Sequence, residues 1–166
     1  MSSNSSLTTY RVFALSLAVM LPAYGYVFDP AQPEEIDPLW LRWLFSAWFL
    51  GLFGISYHAN LRKRLPAFWR VTVWAVTAWY LGIASLNDFS LQYAVGALVI
   101  LPVGGGVLRV TDCRLPMLRA YYGLGVLAVG LGVIDTDLAG QLEAAYMVSL
   151  GTVVAATYVI QHRQYH

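Results

Sequence analysis

The chain has 166 residues, 58% of them hydrophobic and 11% charged, with a mean hydropathy of +0.59 and a formal net charge of +1. Apolar content at that level lies outside the range of a soluble globular domain, and the length leaves no room for a second folded domain once the apolar runs are placed. A near-neutral balance offers no basic footprint for nucleic acid.

Six apolar stretches of roughly 20 residues, each long enough as a helix to cross about 30 Å of hydrocarbon, are predicted as membrane spans. They cover residues 8–27, 38–58, 65–85, 89–110, 116–134 and 139–160. The first lacks a small-x-small cleavage signature, so it reads as a helix and not as a signal peptide. Pro22 inside it has no amide, which frees a backbone carbonyl and predicts a kink. The second opens on "PLWLRW", where Arg42 stands about one turn in. Two readings of Arg42 stay open: it snorkels to the outer headgroups, or it is a donor at the mouth of a pocket. Trp40, Trp43, Trp69, Tyr121 and Tyr122 fall at span ends and read as interfacial belts. Trp74, Trp79 and Tyr80 lie deeper in the third span and read as core.

Between the third and fourth spans stands "SLNDFSLQY", residues 85–93. Asn87 or Asp88 is expected to cap the amino end of the fourth helix. Capping does not account for Ser90, Gln92 and Tyr93. Ser90, Tyr93 and Ala97 recur at helical spacing on one face, with Tyr93 roughly 8 Å below the cap. The "VGGG" at 103–106 and the glycines at 123, 125, 130 and 132 read as sites of close helix approach. On the sixth span Tyr146 lies at a depth similar to Tyr93. Two tyrosines and a serine above apolar walls would suit an amphiphile with a small polar head and an acyl tail.

The charges are sorted by connection. Arg11, Arg62, Lys63, Arg64, Arg70, Arg109, Arg114, Arg119 and Arg163 fall at the amino end, the second and fourth connections, or the tail. Asp29, Glu34, Glu35, Asp37, Asp88, Asp135, Asp137 and Glu143 fall at the other three. Because basic residues in short loops stay cytoplasmic, this predicts three antiparallel hairpins with both termini inside. Arg42 and Asp112 are the exceptions. The fold expected is all-α: an integral membrane bundle of six transmembrane helices.

Catalytic signatures are missing. Lys63 is the only lysine and lies in a loop, and there is no HExxH, GxSxG, CxxC or phosphate-binding glycine loop. His58, His162 and His166 stand at helix ends, where they cannot face one another across a haem, so no metal or other cofactor is expected. Cys113 is alone and forms no disulfide within the chain.

Five short stretches, in order, carry a family resemblance: "LPAYGYVF" in the first span, "LWLR" opening the second, "LNDFSLQY", "RVTD" at the fourth connection, and "QHRQYH" after the sixth. In these the chain resembles the membrane receptor domain of the cholera autoinducer sensor histidine kinase (CqsS) family, which senses long-chain α-hydroxyketones. The resemblance covers essentially the whole chain. It implies a multi-pass sensor in a bacterial inner membrane, homodimeric through the parent protein, with a histidine kinase output expected after His166. Carried over by position, a ligand-contacting tryptophan of the family falls at Tyr93, two phenylalanines at Tyr146 and Val148, and a cysteine at Ala156. Ser90, Tyr24 and Arg42 complete the candidate ligand set; no residue is assigned a catalytic role. Alternatives are a receptor domain for a nucleotide (adenylate) cyclase, a small six-helix transporter or channel, and a dimerising anchor. Absence of buried carboxylates along a path argues against transport, and an anchor leaves Ser90, Gln92 and Tyr93 unexplained.

Overall fold

A helix pairs the backbone groups of an apolar run within the run itself, whatever surrounds it. The computed structural model describes residues 3–28, 38–89, 91–134 and 140–163. These residues hold seven α-helices and no strand: α1 (Ser3–Phe28), α2 (Leu39–Ile55), α3 (Ala59–Arg62), α4 (Leu65–Leu86), α5 (Leu91–Val110), α6 (Leu115–Ile134) and α7 (Gly140–Arg163). Six coincide with the predicted stretches to within a few residues. The seventh, α3, is a single turn in the basic connection, entered through His58 in extended conformation and closed by the Arg62 amide donating to the His58 carbonyl.

The all-α class stands, while the predicted span lengths need correction. Among the described residues one helical stretch, Leu115–Gly132, is long and apolar enough to cross a membrane by length and composition. Leu7–Ala23, Leu39–Ile55, Val95–Val110 and Tyr146–Val159 are apolar over shorter stretches. The reasons are local. α2 stops at Ile55, where Ser56 turns its hydroxyl onto the Phe53 carbonyl. α4 has the length, but Trp69, Thr72, Trp74, Thr77, Trp79 and Tyr80 dilute its apolar character.

The chain divides into two compact units, Met1–Phe68 and Trp69–His166. In the first, α1 and α2 form an antiparallel hairpin. Tyr10, Ala14 and Ala18 recur every four residues along the buried face of α1, and Arg42, Ser46, Phe49 and Leu52, three or four apart, along that of α2. The two alanines let the backbones approach. The carbonyl that Pro22 deprives of its amide is that of Ala18, and the buried Ser46 hydroxyl donates to it. One turn earlier on α2, Arg42 donates through Nη1 to the Leu21 carbonyl at 3.4 Å. At the opposite end Arg11 donates through Nε to the Ser56 hydroxyl (2.9 Å) and through Nη2 to the Ser56 carbonyl (3.2 Å). Its guanidinium lies 3.8 Å from the centre of the Tyr57 ring. A cation there meets the negative end of the α2 dipole and an aromatic face together.

In the second unit the contact registers make α4, α5, α6 and α7 run alternately up and down. Gly105 faces Tyr122, Gly104 faces Tyr121 and Leu101 faces Gly125, and Phe89 in the turn before α5 faces Gly132, so α5 and α6 run antiparallel. α7 turns Leu150 and Val154 inward, one helical turn apart. Two turns share one construction. After α4, the Phe89 amide donates to Ala84 and the Asp88 amide to Ser85; after α5, Cys113 donates to Leu108 and Asp112 to Arg109. These are Schellman closures, with Asp88 (φ 50°) and Asp112 (φ 51°) in the left-handed position that glycine usually fills. The Asn87 side-chain amide donates back to the Ile83 carbonyl (2.9 Å), finishing α4, while the expected cap on the next helix falls at Ser90, outside the described residues. Asp112, an exception to the charge pattern, stands where it does because of backbone geometry.

Both units expose apolar surface and bury polar groups. Val19, Met20, Trp40, Leu44 and Trp48 are exposed in the first, Val71, Val99, Leu124, Leu127, Leu131 and Val148 in the second. Arg42, Ser46, Ser56, Thr72, Thr77 and Thr111 are buried.

Candidate functional site

α5 is a helix with notches. A Cβ at Gly96 would collide with the Tyr80 hydroxyl, one at Gly104 with the Tyr121 hydroxyl, and one at Gly105 with the Tyr122 hydroxyl. α4 and α6 thus reach α5 by tyrosines set end-on into glycine gaps. The expectation of close helix approach at "VGGG" is replaced: the space left by Gly104 and Gly105 is filled by phenol tips.

Each hydroxyl must find a partner in so apolar a place. The Tyr121 hydroxyl donates to the Ile100 carbonyl (3.2 Å) and lies 3.0 Å from Thr77 Oγ1. The Tyr80 hydroxyl donates to the Tyr93 backbone carbonyl at 2.9 Å, and the two rings lie 6.1 Å apart. Edge-to-face contacts continue from Trp74 to Tyr121 (5.4 Å), Tyr121 to Tyr122 (5.6 Å) and Tyr122 to Tyr158 on α7 (6.2 Å). The Tyr158 hydroxyl accepts from Arg119 Nε at 3.1 Å. Tyr121, Tyr122 and Trp69 are therefore buried core residues, at 1%, 4% and 1% exposure, and not the interfacial belt their positions in the chain suggest. Adjacent antiparallel helices bring their ends beside one another, so a span-end residue can still point inward.

The candidate ligand residues divide. Tyr93 is buried at 5% exposure on α5, with Ala97 beneath it fully enclosed. Tyr146 is half-buried on α7, which packs against α5. Val148 is 70% exposed and Ala156 is exposed too, both off the inward face that Leu150 and Val154 define, so the structure does not bring them to Tyr93. The reason is periodicity: positions 148 and 156 are two residues from 150 and 154, about 200° around the helix. Arg42 belongs to the first unit, where its guanidinium is turned onto α1. Tyr24 lies in α1, with its side chain outside what is described, and Ser90 lies outside the described residues.

A shallow hollow of about 450 Å³ is lined by Thr8, Thr9, Val12 and Phe13, which include none of the candidate residues. No cluster of metal-ligating side chains occurs among the described residues. The second unit holds phenols, a threonine hydroxyl and backbone carbonyls within apolar walls, hydrogen-bonded to one another. Sequence reasoning missed Thr77 and Gly96 and read Tyr80 only as core. The pairing of Gly104–Gly105 with Tyr121–Tyr122 was its one available signal, readable only with the antiparallel register in hand. Comparison with family models, curated proteins and solved structures finds no match.

Proposed function

We propose that the chain is a multi-pass sensor domain of a bacterial inner membrane, six of its helices crossing the bilayer. It binds a small amphiphile of the α-hydroxyketone kind within the α4–α7 unit. A cytoplasmic output follows α7, a histidine kinase being the form the family resemblance favours, and the assembly is a homodimer through that output. The observation that carries this reading is the hydroxyl-bearing interior of the second unit, with Thr77, Tyr80, Tyr93 and Tyr121 set among apolar walls whose outer faces expose valine and leucine. A ligand with unequal affinity for two packings of these helices shifts their populations, and α7 carries the shift onward.

The test is direct binding. The full chain, reconstituted in lipid nanodiscs, is titrated with linear α-hydroxyketones of graded length and with fatty acids as a comparison class. Saturable, length-dependent binding of the hydroxyketones that Tyr93→Ala weakens by tenfold or more supports the reading, since that change removes an aromatic wall and a hydroxyl. No saturable binding of any hydroxyketone by the parent chain ends it.

A further inference from the structure

We infer that the end of the first unit where Arg11 meets Ser56 is a site for an anionic phospholipid, with the phosphate held by Arg11 and the basic turn α3 and an acyl chain laid in the hollow on α1. The inference rests on the membrane placement proposed above and not on the amphiphile. Four cations stand at this end: Arg11 and, just past α2, Arg62, Lys63 and Arg64. The unit's four acids, Asp29, Glu34, Glu35 and Asp37, belong to the connection at the other end of the α1–α2 hairpin, and no residue from 38 to 87 is acidic. Arg62, Lys63 and Arg64 are exposed, and none of them forms an ion pair among the described residues.

Arg11 is a fixed cation. Its Nε and Nη2 donate to the Ser56 hydroxyl and carbonyl, and its guanidinium lies 3.8 Å from the centre of the Tyr57 ring, itself 61% exposed. Those contacts set the plane of the fork and leave Nη1 without a bond among the described residues. A guanidinium held in plane matches phosphate oxygens, where a mobile ammonium acts only as a point charge. Thr8, one turn before Arg11 on α1, lines the 450 Å³ hollow with Thr9, Val12 and Phe13. Along α1 that lining passes from two hydroxyl-bearing residues to two apolar ones toward the middle of the helix, the order in which a phospholipid passes from phosphate ester to acyl chain. A zwitterionic head would bring its own cation to a cluster of four, so the lipid recognised is the anionic one.

The full chain in neutral detergent is titrated with dioleoyl phosphatidylglycerol, with dioleoyl phosphatidylcholine and with the chainless ester glycerophosphoglycerol, and bound molecules are counted by native mass spectrometry. Phosphatidylglycerol should bind at least tenfold more tightly than either of the others. Arg11→Gln should weaken it about fivefold, the effect of one cation near a membrane surface. Should that variant fail to fold, Lys63→Gln with Arg64→Gln alters two exposed side chains that make no contact, and should weaken phosphatidylglycerol by tenfold or more. Arg114→Gln, which removes an exposed cation of the second unit, should leave the affinity unchanged. Equal binding of the two lipids overturns the site, and so does an equal loss in Arg114→Gln, which would mark the attraction as diffuse. Equal binding of the chainless ester overturns the lipid as occupant in favour of a free phosphate ester. Phosphatidylglycerol selectivity without hydroxyketone binding upholds this site while the sensor reading falls, and hydroxyketone binding without lipid selectivity does the reverse.

Discussion

Single side chains in this protein are placed by the hydrogen bonds an apolar interior demands. The Tyr121 hydroxyl sits between Thr77 Oγ1 and the Ile100 carbonyl, so Tyr121→Phe strips two contacts at once. We expect a loss of about 1 to 2 kcal/mol, read as a lower thermal midpoint in detergent, with helix content by circular dichroism unchanged. A midpoint equal to the parent's would show that the hydroxyl is not held as described. Asp88 and Asp112 are a sharper case, because the two readings of them differ in sign. As left-handed closing residues both should improve on replacement by glycine, by about 0.5 to 1 kcal/mol each. A residue acting as an amino-terminal cap would lose a few tenths of a kcal/mol by the same change. Asn87 and Asp88 were legible as turn residues, but which helix they close was not. That choice depends on the left-handed backbone at Asp88 and on the inward Phe89, whose ring fills the gap at Gly132.

At the scale of elements, the α1–α2 hairpin is joined where α1 is weakest. Pro22 leaves the Ala18 carbonyl without its helical partner and Ser46 supplies a hydroxyl, so the two residues should be energetically coupled. Ser46→Ala alone should cost about 1 to 3 kcal/mol, the penalty of a bare buried acceptor. In a Pro22→Ala background, where an amide is restored, the same change should cost well under 1 kcal/mol. A double-mutant cycle on thermal or denaturant unfolding measures the difference, and additivity of the two changes would refute the coupling. The freed carbonyl is foreseeable from Pro22. Its partner is not, because the 28 positions separating Ser46 from Ala18 close only when the hairpin forms.

For the whole molecule the question is orientation. Basic residues cluster at one set of connections and acidic residues at the other, which under the proposed six-span arrangement predicts the "ANLRKR" segment and the tail inside and the loop around Glu34 outside. A reporter active only in the cytoplasm should work when fused after Arg64 or after His166 and fail when inserted near Glu34. An active periplasmic reporter after His166 would defeat the arrangement of six spans. Arg42, the basic exception to the charge pattern, is occupied within its hairpin, donating to the Leu21 carbonyl.

The sequence alone determined six of the seven described helices, their approximate limits, the carbonyl that Pro22 frees in α1 and the two classes of connection. Those features depend on contacts within a few residues and on the cost of leaving an amide or a charge in an apolar medium. The register between helices was decided only by tertiary structure, and with it which glycine receives which tyrosine, which face of α7 carries Val148 outward, and which carbonyl Arg42 and Ser46 reach. Helical periodicity gives each side chain a direction around its own axis but no knowledge of the neighbour's rotation. In a chain this rich in tyrosine and glycine, many rotations bury similar apolar area. The hydrogen bonds of Tyr80, Tyr121 and Ser46 select among them, because each hydroxyl misplaced by one turn would remain buried without a partner.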